Sequence, residues 1–223
     1  MNDFVESIGN ESEAFAATIR PDVLDRRVPH CPDWTLRDLA WHLGRVQQFW
    51  ALVVRAGVDE RPEFEPRRPG PTEAAALAAW MRESTRELID ALRDAADDAP
   101  AWTWWGEPRT AAAVGRHQVQ EAAVHRWDAQ SVLGRPAPFP AALATDAVGE
   151  FVEIFRKLRP RAPIALEATD TGHTFTLSDG EAAVTVSAPS GDLLLLLYGR
   201  LSPDDVQVVG DRVLLGVLLT PIE

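Results

Sequence analysis

Lysine and cysteine are almost absent from this 223-residue chain: Lys157 and Cys31 are each the one example of their kind. A lone cysteine excludes an internal disulfide and fits a reducing compartment. Cationic charge is also scarce, with 22 Lys and Arg against 34 Asp and Glu, a formal net charge of −12. Nucleic-acid binding needs clustered cations to meet phosphates, so that class is not expected. The apolar run Leu193–Tyr198 is far too short to span a bilayer. The opening residues MNDFVESIGNES lack the basic stretch and apolar core of a signal peptide. What is plentiful is apolar material, 46% of residues, enough to bury a real core and too much for a disordered chain. The expectation is a soluble, cytoplasmic protein of one large or two small domains, with no nucleic-acid or membrane partner. Oligomeric state is not legible.

Four helical patterns fill the first part. The first covers about Asp3 to Ile19 and ends before Pro21. A loop rich in proline, Val28 to Trp34, follows. Thr35 then opens a second helix, with Asp38 three residues on as a capping-box pair. Its apolar positions Leu36, Leu39, Leu43, Val46, Trp50 and Val53 recur in steps of three and four. Residues 57–71 carry Gly, Pro and charge without periodicity and read as a loop. A third helix is expected from Thr72 to Ala96. A fourth, after a connector holding Trp102, Trp104 and Trp105, runs from Arg109 to Leu133. Helices joined mostly by short connections predict a four-helix bundle over 1–135. Gly134 to Pro140 marks the boundary.

Residues 136–223 change character. An amphipathic helix, Ala141–Leu158, precedes three expected strands: Ile164–Ala168, His173–Ser178 and Ala183–Ala188. Asp-Thr-Gly and Asp-Gly turn signals separate them. A buried helix over 190–200, a strand near Asp205–Val209 and a last helix, Arg212–Leu219, complete a small α+β domain.

The fourth helix carries the chemistry. Val114, His117, Glu121, His125, Asp128 and Val132 project within a sector of roughly 80° at about 100° per residue. Polar groups sharing a direction with valines must be hydrogen-bonded, paired or ligated. Glu121 and His125 are one turn apart, a spacing that lets a carboxylate oxygen and an imidazole nitrogen converge on one ion. Zinc accepts two His and one carboxylate and keeps a further position open in catalytic sites. His42, at the border of the apolar stripe of the second helix, is the candidate third ligand. Other readings stand beside this one. Glu121 and His125 alone describe an ion pair, His42 alone describes a satisfied core histidine, and His117 has the same spacing from Glu121 as His125. Asp128 suits a partner for His125 or a salt bridge with Arg126 or Arg135. Gly44 in the second helix points to close packing or access.

Two segments together resemble a known family. Val28-Pro29-His30-Cys31-Pro32-Asp33-Trp34-Thr35-Leu36-Arg37-Asp38-Leu39, continuing through His42-Leu43-Gly44, is similar to the opening signature of the mycothiol-dependent maleylpyruvate isomerases. Glu121-Ala122-Ala123-Val124-His125-Arg126-Trp127-Asp128-Ala129 resembles their second signature. Asp170-Thr171-Gly172 and Gly191-Asp192-Leu193-Leu194 through Gly199-Arg200 look like their small C-terminal domain. The resemblance implies a DinB-like four-helix bundle with a divalent metal, zinc foremost, on His42, Glu121 and His125. It gives no ligand role to His117 or His30 and leaves Cys31 structural. It also implies mycothiol as the thiol that adds to a conjugated double bond of a small electrophile, allows rotation and is eliminated, or is transferred. Arg200 is the candidate to grip a substrate carboxylate; an arginine bonding helix-terminal carbonyls is the competing reading. Trp34, Trp102, Trp104 and Trp105 are expected to line a cleft or cap the bundle. A metal-dependent hydrolase and a non-catalytic small-molecule binder are the alternative functions, and nickel, iron or manganese the alternative metals.

Overall fold

Thr35 begins the second helix as its spacing with Asp38 requires. The Thr35 side chain accepts from the Asp38 N–H, and Asp38 Oδ2 accepts from the Thr35 N–H at 2.9 Å. The computed structural model describes residues 1–58, 60–64, 70–158 and 163–218. Parts of the 57–71 loop, Leu219 of the expected last helix and the end of the 136–223 domain therefore lie outside the described residues. The chain divides into two compact units, Met1–Ala137 and a second beginning at Pro138.

The first unit holds α1 (Asn2–Ala16), β1 (Arg27–Val28), β2 (Cys31–Thr35), α2 (Leu36–Ala56), α3 (Ala74–Asp94) and α4 (Ala111–Ser131). The first helix stops short of the expected Ile19, where Thr18 turns its hydroxyl back onto the Phe15 carbonyl at 2.7 Å. The proline-rich segment expected to be a loop is instead a small antiparallel hairpin, β1 against β2. It is anchored by Val28, which is fully buried, and it feeds directly into α2. The Leu36 and Arg37 N–H groups donate to the Arg26 and Leu24 carbonyls, so the start of α2 is tied to the chain preceding the hairpin. A left-handed Gly57 (φ 62°) ends α2.

Leu36, Leu39 and Leu43 of α2 meet Phe15 of α1 and Leu77 and Met81 of α3 in one apolar core. Burying each such side chain contributes about 1.5–3 kcal/mol. Gly44 is a close-packing position: a Cβ there would overlap the Trp80 indole of α3. The fourth helix has no comparable apolar stripe. Val114 and Val124 are buried, but so are His117, Gln118, Gln120, Arg126 and Asp128.

The second unit opens with α5 (Ala141–Leu158), followed by β3 (Ile164–Ala168), β4 (His173–Thr176), β5 (Val184–Ala188), α6 (Ser190–Leu197), β6 (Gln207–Gly210) and α7 (Leu215–Leu218). Its sheet has the order β4-β3-β5-β6, with β3 and β5 parallel and the outer pairs antiparallel. Ile164, Leu166, Val184 and Val186 of the central strands and Leu193–Leu197 of α6 are buried. Asp170, in the Asp-Thr-Gly turn, accepts from the Ser190 N–H and hydroxyl at 2.9 and 2.8 Å, joining that turn to the start of α6. No helix among the described residues is long and apolar enough to cross a membrane.

Thr35→Ala removes the side-chain half of the cap, leaving the backbone N–H bond to Asp38, and is expected to cost about 0.5–2 kcal/mol, whereas Thr35→Ser should retain most of it. Urea unfolding of the two variants checks this, and equal stability of both with the parent would contradict the assignment.

Candidate metal centre

Two helices bring the site together. α2 contributes His42, seven residues beyond its cap, and α4 contributes Glu121 and His125 one turn apart. A single carboxylate oxygen, Glu121 Oε1, lies 3.1 Å from His42 Nε2 and 3.3 Å from His125 Nε2. The two imidazoles meet edge-on, with centroids 5.0 Å apart. On its other side His42 packs against the Trp34 indole at 4.8 Å. The donor atoms of all three residues lie within 4.8 Å of one another. Ligands of a tetrahedral zinc ion with bonds of about 2.0–2.1 Å are spaced by roughly 3.3 Å, so small adjustments suffice to seat an ion here.

The site is sheltered but not sealed: side-chain exposure is 34% for His42, 18% for Glu121 and 11% for His125. His125 Nδ1 lies 3.1 Å from Oδ2 of the fully buried Asp128. That hydrogen bond leaves the neutral ring's Nε2 lone pair facing Glu121 and His42, the orientation a metal ligand needs.

Electrostatics of the metal-free trio follow from this crowding. Burial opposes the Glu121 charge, but the adjacent His125 and His42 prevail and hold its carboxyl well below the usual range. Burial likewise opposes a cationic His125. Glu121 and Asp128 outweigh it and raise the imidazole to about 9. A proton therefore occupies the trio where a cation would sit. Both the donor set and its charge fit a divalent metal.

The residues weighed as alternatives fall elsewhere. His117 lies among the Trp50, Trp104 and Trp105 rings, 4.5 Å from the last, and is not a member of the ligand cluster. Trp102 stacks on Trp50 at 6.0 Å. His30 packs on Trp127 at 5.0 Å. Arg126, weighed as a partner for Asp128, forms a buried bond at 2.7 Å to Glu11 of α1. In the second unit, Arg200 lies past the end of α6, where its Nη1 donates to the Tyr198 carbonyl at 2.6 Å and its guanidinium lies 5.9 Å from the Tyr198 ring. Sequence reasoning did not single out Arg45, Phe49, Arg61 or Phe64, which line a pocket beside His42. The α2 members were detectable, because Asp38, Trp41, Arg45 and Phe49 recur in steps of three and four on one face.

A helical bundle offering two histidines and a glutamate, followed by a small mixed α+β unit, defines a class of two-domain proteins with a metal-competent bundle. The sequence profile of the mycothiol maleylpyruvate isomerase N-terminal domain matches residues 5–130, and that of the corresponding C-terminal domain matches residues 136–216. The chain belongs to the mycothiol-dependent maleylpyruvate isomerase family. Two solved structures share the fold. One is a mycothiol-dependent maleylpyruvate isomerase (TM-score 0.72, 15% identity) and the other a histidine-to-alanine variant of such an isomerase (TM-score 0.73, 14% identity). Each match covers 93% of this chain and 92% of the other. No curated protein matches the sequence significantly. Family membership places the chain among enzymes of the isomerase class and supports dependence on mycothiol.

A metal held by this trio would have to displace the His125 proton. Apparent affinity for zinc is therefore expected to rise about tenfold per pH unit from pH 6.5 and to level off near pH 9. Competition titration against a chelator of known pH dependence measures this. An affinity that does not change over that range would exclude a cationic His125.

Proposed function

We propose that this chain is a metal-dependent isomerase that uses mycothiol to convert a small conjugated cis acid into its trans isomer, with His42, Glu121 and His125 holding the cation. The observation that carries this is the sharing of Glu121 Oε1 between two imidazole nitrogens, at 3.1 and 3.3 Å, in a chain whose two domains both match the family. A divalent ion held by His42, Glu121 and His125 would supply a positive charge that favours a thiolate over a thiol. Mycothiol would supply the sulfur nucleophile of the isomerisation.

The protein's own residues prepare that chemistry. Glu121 offsets the cation's charge inside the bundle. Asp128 fixes the His125 tautomer, so that Nε2 faces the site. Trp34 covers one face of His42 and limits water there. Zinc suits two nitrogens and one carboxylate oxygen and is the metal proposed. Arg200 is proposed as a contact for an acidic substrate from the second unit, because a guanidinium donates two bonds at once. A reducing cytoplasm, where mycothiol and Cys31 both stay reduced, is the compartment this reading requires. The hydrolase and passive-binder alternatives are not favoured, since both domain matches are to an isomerase family.

His125→Ala is expected to abolish metal retention in the purified protein together with thiol-dependent isomerisation; unchanged metal stoichiometry by elemental analysis would remove it as a ligand. Arg200→Met should leave metal content intact while cutting turnover of a carboxylated substrate by about tenfold or more. Full activity would show that Arg200 serves only the end of α6.

A further inference from the structure

One face of α2 continues beyond the metal centre into a pocket. Asp38, Trp41, His42, Arg45 and Phe49 of α2 form its wall, Trp34 of β2 borders it, and Arg61 and Phe64 form part of the lining beyond α2. The cavity measures about 410 Å³, inside the ~300–1,000 Å³ range of small-molecule sites. His42 is part of the wall, so an occupant lies directly against the proposed ligand set.

The lining has two kinds of chemistry. Trp34, Trp41, Phe49, Trp50 and Phe64 present aromatic surface. Phe49 meets Phe64 and Trp50 edge-on, at 5.4 and 5.2 Å. Against this stand two exposed guanidinium groups. Arg61 lies over the Phe49 and Trp102 rings at 5.9 and 5.8 Å, a contact that holds the cation through the ring faces and leaves its N–H edges able to donate. Arg45 makes no hydrogen bond or ion pair with a described residue. Asp38, the one carboxylate among the described residues of the wall, is engaged in the α2 cap. Two cations free of carboxylate partners among the described residues, on an aromatic-walled cavity, select an anion with a planar apolar body.

We infer that this pocket binds the electrophile of the reaction as an aryl-substituted carboxylate, its ring between Trp41 and Phe49 and its carboxylate on Arg45 and Arg61. The inference rests on the isomerase reading for the position of the double bond, at the His42 end. A (Z)-aroylacrylate has the required parts: an aryl ring, a ketone conjugated to a cis double bond, and a terminal carboxylate. The sulfur, reacting as the thiolate, bonds to the alkene carbon β to the ketone as the π electrons move to the ketone oxygen. After rotation those electrons re-form the double bond and the C–S bond breaks, so the sulfur leaves again as the thiolate with no net gain or loss of atoms or electrons.

The saturated 4-oxo-4-phenylbutanoate cannot react with a thiol and therefore reports binding alone. Titration calorimetry on the metal-loaded protein is expected to show it binding about tenfold or more tighter than 4-oxopentanoate, which has a methyl in place of the phenyl. Arg45→Met and Arg61→Met should each weaken it by about tenfold, with metal content and helicity unchanged. Phe49→Leu should reduce the phenyl preference. Equal affinity for the two acids, or unaltered binding in both arginine variants, would overturn the pocket assignment. Turnover of (Z)-3-benzoylacrylate with mycothiol is followed separately by its absorbance. Tight arginine-dependent binding without turnover would support the pocket and count against the isomerase reading. Turnover of an aliphatic cis-enone acid with no phenyl preference would do the reverse.

Discussion

A carboxylate withdrawn from water between two imidazoles is the constraint on which the bundle's interior depends. Left unpaired, Glu121 would lose far more hydration than its packing could return. The nitrogens of His42 and His125 remove that difficulty, and Asp128 extends the chain of charge by one further bond. The same arrangement makes the site a competitor between proton and metal. The proton that pairs the trio here is the one a metal held by the same three residues would have to expel.

Several other polar groups in the bundle are paired across helices. Gln47 of α2 donates to Ser12 of α1 and accepts from Thr85 of α3, both at 2.8 Å, so one amide links three helices. Arg126 reaches Glu11 across α1 and α4 and also donates to Gln130 and to the Ala137 carbonyl. The fourth helix can therefore be buried without an apolar stripe. His125 and Arg126 on its inward face find specific partners instead, while the buried Gln118 amide makes no hydrogen bond with a described residue; specific partners fix helix positions more narrowly than leucine packing does. A metal site with sub-ångström tolerances benefits from neighbours of that kind.

Much of this was readable in the residues themselves. The stripe Leu36-Leu39-Leu43 announced α2, and Thr35 with Asp38 announced its start, because both are local effects of helix geometry. Glu121 and His125 could be paired for the same reason, being one turn apart on one helix. The partnership with His42 spans 79 positions, and periodicity alone left it open beside an ordinary ion pair. The hairpin at Arg27–Thr35 was missed because prolines at 29 and 32 resemble loop punctuation, while its pairing depends on burial of Val28. Arg45 and Arg61 were passed over because exposed arginines are common. Only the aromatic rings gathered around them, from separate segments, distinguish these two.

The cap at Thr35 has a bearing on the metal site two turns away. A helix transmits rotation rigidly, and a one-residue slip at its origin turns every later side chain by about 100°. Such a slip would swing His42 off the line to α4 and carry Trp41 or Leu43 toward its place. Thr35, Asp38 and the backbone bonds from Leu36 and Arg37 to the preceding chain thus set the angular register of the centre. The imidazole's aim is decided before the helix has completed its first turn.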